Sequence, residues 1–140
     1  MPELIWQYVK TPLDGDNLIA TLAEKLGIAV PQTYIDLAVK NNGGRPNRKI
    51  FPSAQGILSF RRLLRIDSNG EENINQIAED ILAYNVKLFP FGDDSFGNYF
   101  CFAATQENQQ AAVVFFDHET GKQTILADTF QDFLDKLQES

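Results

Sequence analysis

Cysteine, histidine and long apolar runs are all scarce in this chain, and each shortage removes a class of function. There is one cysteine, Cys101. It cannot form an intramolecular disulfide or contribute to a zinc site built on several thiolates. There is one histidine, His118, and it sits in a turn between Asp117 and Glu119. A metal site needs three or four converging ligands, and neighbouring residues of an extended stretch point to opposite sides, so a solvated turn outweighs a metal site or a His–carboxylate dyad. No apolar run approaches the ~18 residues that cross a bilayer. The opening Met1–Trp6 has neither the basic segment nor the long apolar segment of a secretory signal. The expectation is a reduced, soluble, intracellular domain.

What is present is a core. The 140 residues and 15.8 kDa fit one domain, 44% of residues are hydrophobic, and eleven phenylalanines dominate the aromatic set. Net charge is −7. Residues 1–70 carry nine Lys/Arg against six Asp/Glu, and residues 71–140 carry three against thirteen. Within 45–65 there are six cations, Arg45, Arg48, Lys49, Arg61, Arg62 and Arg65, and no acid. A basic stretch can follow phosphates, but so acidic a second half repels a nucleic acid approaching broadly. The stretch is read as complementing the protein's own acids or as solvated. The acidic excess suits a cationic protein partner, because complementary fields raise encounter rates.

Periodicity sets out the elements. Asp14–Asn17 reads as a turn and cap, followed by a helix with Leu18, Leu22 and Leu26 on one stripe and a stop at Gly27. A second helix opens at Pro31, turns Tyr34, Leu37 and Ala38 inward, and ends at Asn41–Gly44. Ile50-Phe51, Ile57-Leu58 and part of Phe60–Ile66 read as short strands. Ser68–Glu71 has capping-box spacing before a helix carrying Ile74, Ile77, Ile81 and Leu82 to about Tyr84. Val86–Phe91 is a strand that Pro90 places at an end or edge. Tyr99–Ala103 and Ala112–Phe116 are apolar at both parities, as strands covered on both faces are, with a hairpin-length link at Thr105–Gln110. A turn at Asp117–Lys122 leads to a strand at Gln123–Leu126, and Asp128 opens a last helix with Phe130, Phe133, Leu134 and Leu137. Strands in series between grouped helices predict one α+β domain over 1–140. Its central sheet is largely antiparallel and is flanked by about four helices.

Catalytic readings are weak. Cys101 lies in an apolar strand, where a thiolate is disfavoured, so a Cys101–His118 nucleophile pair is set aside. The loop Gly92–Asn98 lacks the Lys and Ser/Thr of a phosphate-binding loop, and Asp93 and Asp94 would repel the anion. Those adjacent carboxylates cannot flank a sugar as glycosidase acids do. The Phe-rich strands could stack single-stranded bases, but without interleaved cations they are read as core.

Several motifs in order resemble the SUKH superfamily, which includes bacterial toxin-immunity proteins and domains of fungal cell-wall-synthesis regulators. Pro31-x-x-Tyr34 followed by Asn42-Gly43-Gly44 is similar to its opening motif. Phe89–Asp93 and then Gly97-Asn98-Tyr99 resemble its Gly-Asp…Gly-Asn segment. Val113–Glu119 resembles the next strand and turn, and Ala127–Leu134, with Phe130 and Phe133, the closing helix. The likeness spans about 14–138, and the basic 45–66 stretch departs from it. The resemblance implies an α+β fold and no cofactor, while one histidine, one cysteine in an apolar strand and no convergent ligand set predict no enzyme activity, no catalytic residues and no metal. The resemblance also implies a cytoplasmic immunity protein that binds and neutralises a toxin, a basic nuclease-type domain among the candidates. A regulatory interaction module of the cell-wall-regulator type is the alternative, and a hydrolase using Asp93, Asp94 and His118 a distant third. No nucleic acid or membrane is implied as partner, and a homodimer stays open. The expected contact surface is an acidic rim of Asp93, Asp94, Ser95, Asp117, His118 and Glu119. Pro31, Tyr34, Asn42, Gly43, Gly44, Gly92, Gly97, Asn98, Phe130 and Phe133 are expected to be structural.

Overall fold

The computed structural model describes residues 4–9, 15–54, 56–66, 73–104 and 111–139. Helix α1 (Gly15–Leu26) buries Ile19, Leu22 and Leu26 on one stripe and stops at Gly27 in the left-handed region, φ +70. The expected cap partly dissolves, because Asp16 and Asn17 lie inside the first turn and Asp14 is outside the described residues. Helix α2 (Gln32–Lys40) begins one residue after Pro31, which stays extended while its carbonyl accepts from the Tyr34 and Ile35 N–H groups at 3.1 and 3.2 Å. At its exit Gly43 has φ +71, a conformation that any Cβ would strain. Asn42 there is buried, and its Oδ1 accepts from the Ile66 N–H at 2.7 Å, bolting the exit loop to the end of the central strands.

Two small sheets flank the main one. Strand β1 (Trp6–Gln7) pairs antiparallel with β2 (Arg45–Pro46), leaving Trp6 half-buried and the Tyr8 ring exposed beside the Arg45 guanidinium, 5.6 Å away. Strands β3 (Ile50–Ser53) and β4 (Gly56–Ser59) form a hairpin whose Phe51 stacks on Phe133 at 5.1 Å. After β5 (Arg62–Leu63) comes α3 (Ile74–Leu82), capped by Asn73, whose side-chain oxygen accepts from the Asn75 N–H at 2.7 Å. The capping box expected at Ser68–Glu71 lies outside the described residues. The helix also ends two residues short of Tyr84.

The main sheet runs β5-β6-β7-β8-β9, all antiparallel, with β6 Phe89–Asp93, β7 Tyr99–Ala103, β8 Ala112–Phe116 and β9 Gln123–Ala127. Strand β6 starts later than the apolar run suggests. Pro90 lies beside a register shift between Pro90 and Gly92, which accommodates a residue that cannot donate to the ladder. Strands 99–103 and 112–116 are adjacent and antiparallel, with Cys101 opposite Val114, and the link at 105–110 is outside the described residues. Helix α4 (Phe130–Asp135) is capped by Thr129, one residue later than expected, its hydroxyl accepting from the Asp132 N–H at 3.1 Å.

This register explains the apolar character at both parities. Phe100, Phe102, Val113 and Phe115 share one face, where Tyr34 of α2 and Phe130 of α4 pack edge-on and Phe133 of α4 packs at a tilt. Cys101, Val114 and Phe116 share the other, where Tyr84, just past α3, stands edge-on to Phe116 at 5.0 Å. Helices cover both faces of an antiparallel meander, the α+β arrangement expected. Among the described residues no helix is long and apolar enough to cross a membrane.

Candidate functional site

The β6–β7 loop and the β8–β9 turn lie at the same end of the meander, and the candidate site is built from them upward. Gly92 comes first. A Cβ there would come within 2.3 Å of the Phe60 ring, which is itself wedged against Phe91, Phe100 and Phe133 and cannot swing away. The bare backbone lets β5 close on β6, and that closure delivers Arg61 and Arg62 to the next residue, Asp93.

Asp93 is 5% exposed. Arg61 grips its carboxylate bidentately, Nη2 to Oδ2 at 2.8 Å and Nε to Oδ1 at 3.3 Å, and Arg62 adds Nη2 and Nε contacts to Oδ2 at 3.2 and 3.3 Å. A carboxylate leaves water only when donors of this kind replace its hydration. Part of the basic 45–65 stretch therefore complements an acid of the same chain.

Asp94, 6% exposed, is satisfied differently. Its Oδ1 accepts from the backbone N–H groups of Phe96 and Asn98 at 2.8 and 2.9 Å, and its Oδ2 from the Asn98 side-chain amide at 3.0 Å. That donation turns the amide oxygen of Asn98 towards the turn, where it accepts from the His118 N–H at 3.1 Å and meets His118 Nδ1 at 2.8 Å. An amide oxygen only accepts, so Nδ1 carries the proton. Gly97, at φ +86, holds its backbone against the imidazole, where a Cβ would sit 3.3 Å from Cε1. The Tyr84 hydroxyl donates to the His118 carbonyl. Within the turn Gly121 donates to the Asp117 carbonyl at 2.7 Å, and Asp117 Oδ1 accepts from the Glu119 N–H at 2.9 Å. One network, Asp94–Asn98–His118–Tyr84, fixes loop to turn.

The sequence-predicted residues thus meet at one end but do not form the expected acidic rim. Asp93 and Asp94 are corrected from surface charges to buried scaffold, because a carboxylate beside two guanidiniums or three N–H donors is stabilised by turning inward. Ser95 and Glu119 are exposed, and Asp117 and His118 half-buried. His118 is a clamp between loops and not a solvated turn residue. Cys101 is fully buried, and burial pushes its thiol well above the ordinary value, which disfavours its thiolate. Sequence reasoning missed Phe96, 77% exposed at the loop tip, and Tyr84. A bulky aromatic among Asp, Ser and Gly was the available signal for the first.

The β3–β4 hairpin reaches the same end. Ser53 and Leu58 line an open groove of about 210 Å³ with Phe115, Asp117, Lys122 and Thr124. Among the described residues no three His, Cys, Asp or Glu side chains are grouped to hold a metal ion.

Fold and site together define a helix-flanked antiparallel meander whose ionisable loop residues act as structural ties around an exposed, shaped end. Residues 15–136 match the family model of the SMI1 / KNR4 family (SUKH-1), and the chain belongs to that family. Comparison with curated proteins gives no match.

Proposed function

We propose that this protein is a cytoplasmic, non-enzymatic immunity protein that binds a cognate toxin and blocks it. Membership of the SUKH-1 family, which includes toxin-immunity and cell-wall-regulator-like proteins, supports a role in protein binding. The observation that carries the reading is the fate of the chemistry-bearing residues. Asp93 is held by two arginines, Asp94 by loop amides, His118 by Asn98, and Cys101 is sealed in the sheet. The first three hold the loop end in shape, and Cys101 is core. Asp117, Glu119 and the chain's net charge of −7 favour a basic toxin domain, whose approach the field accelerates.

The test is coexpression with the toxin domain of any polymorphic toxin gene found beside this one, followed by size-exclusion chromatography of the pair. Immunity gives restored growth and a stoichiometric complex. A toxin that kills equally with and without this protein, and elutes apart from it, overturns the reading. Capture of a signalling or cell-wall-synthesis protein in its place would support a regulatory module.

A further inference from the structure

We infer that Phe96 is the anchor with which this end of the sheet enters its partner, and that the partner is a protein offering an apolar socket of benzyl size rimmed by cations. The inference deepens the immunity reading and rests on it.

A lone exposed apolar side chain needs no explanation, but Phe96 is not an ordinary case. Of eleven phenylalanines, every other one is buried or packed against the core, whereas Phe96 is 77% exposed. It stands on a loop held by three hydrogen bonds to the Asp94 carboxylate. Asp94 accepts from the N–H of Phe96 itself, Asn98 closes the loop back onto Asp94, and Gly97 lies against His118. A backbone fixed before the partner arrives loses little freedom on binding, which is where a projecting ring gains affinity.

Its surroundings have the layout of a contact surface. Tyr84, 43% exposed, is tied to the carbonyl of His118, the residue against which Gly97 lies. Half-buried Asp117 and exposed Glu119 flank His118 in the β8–β9 turn. Aromatic anchors within a polar margin are the usual composition of energetic centres in protein interfaces. The two margin acids specify cations around the socket.

The experiment measures affinity for the toxin domain used in the coexpression test, by titration calorimetry, for the wild type, two Phe96 variants and one control variant. Phe96→Ala should weaken binding about 30-fold or more, the loss expected of a central anchor. Phe96→Tyr, which keeps the ring, should stay within about fivefold, and Ile125→Ala, exposed on β9, should match the wild type. Thermal melts of all variants should coincide, since no core contact is removed. Hydrogen exchange of the wild-type complex should show new protection at 95–98. If the wild type binds, Phe96→Ala binds as well and 95–98 gains no protection, the anchor is overturned while immunity stands. If the wild type does not bind the toxin domain, the immunity reading fails and the anchor with it.

Discussion

The aromatic layer beneath α2 and α4 and the loop end of the meander both rely on aromatic rings, in opposite ways. In the layer, Tyr34, Phe91, Phe100, Phe102, Phe130 and Phe133 interlock at centroid separations between 4.5 and 6.4 Å, and position is set by volume. At the loop end a few hydrogen bonds centred on Asp94 and Asn98 set the geometry, and Phe96 touches none of the core. The first region stabilises by many weak contacts and the second by few directional ones. Truncation should damage the first most, and loss of a single hub should damage the second.

The largest effect expected is from Phe102→Ala. Its ring meets Tyr34, Phe89, Phe91 and Phe130, so removal should cost about 3–5 kcal/mol in urea unfolding. A cost below about 1 kcal/mol would show that the layer collapses around the gap and is not a fixed packing.

Next comes Asp93→Ala, which leaves Arg61 and Arg62 side by side without their shared carboxylate. Breaking a buried pair this way should cost roughly 3 kcal/mol, moderated by the part of Arg61 that reaches solvent. High salt should recover some of the loss by screening the two cations. An unchanged denaturation midpoint would mean that the pair contributes nothing to stability.

Asp94→Ala should cost less, about 1–2 kcal/mol, but should act locally. The amides of Phe96 and Asn98 lose their acceptor, so their hydrogen exchange should accelerate while that of β7 and β8 stays slow. Uniform acceleration across the sheet would erase the proposed division between hub and layer.

The smallest effect has the opposite sign. Among the described residues the buried Tyr34 hydroxyl has no hydrogen-bond partner, so Tyr34→Phe should raise stability by up to about 1 kcal/mol at neutral pH. Burial also pushes the Tyr34 phenol far above its ordinary value of 10.0, and the Cys101 thiol well above 9.0. Above those ordinary values the unfolded chain releases protons that the folded chain keeps, so stability should fall as pH rises past about 9–10. Tyr34→Phe should flatten the part of that fall beginning near 10. A pH profile identical to the wild type would place the alkaline loss elsewhere.

Legibility followed the range of the forces involved. The helical stripes of α1 and α3 and the doubly apolar strands β7 and β8 were readable because periodicity is written in neighbouring residues. Cap positions slipped by a residue at Gln32 and at Thr129, where neighbouring residues compete for the same N–H groups. The motif residues Gly92 and Gly97 were recognisable as structural, but their reasons, the Phe60 ring and the His118 imidazole, come from segments about 20 to 30 residues away.

Composition and pattern alone determined an α+β chain with one Phe-rich core and a central antiparallel pair, because burial of apolar surface follows local periodicity. Only the tertiary structure decided which charges face water. Asp93 and Asp94 are neighbours of identical type, and nothing local distinguishes a surface carboxylate from a buried one. That choice depends on whether distant donors arrive, Arg61 and Arg62 through the closing of β5 on β6, and the Phe96 and Asn98 amides through the fold of the loop.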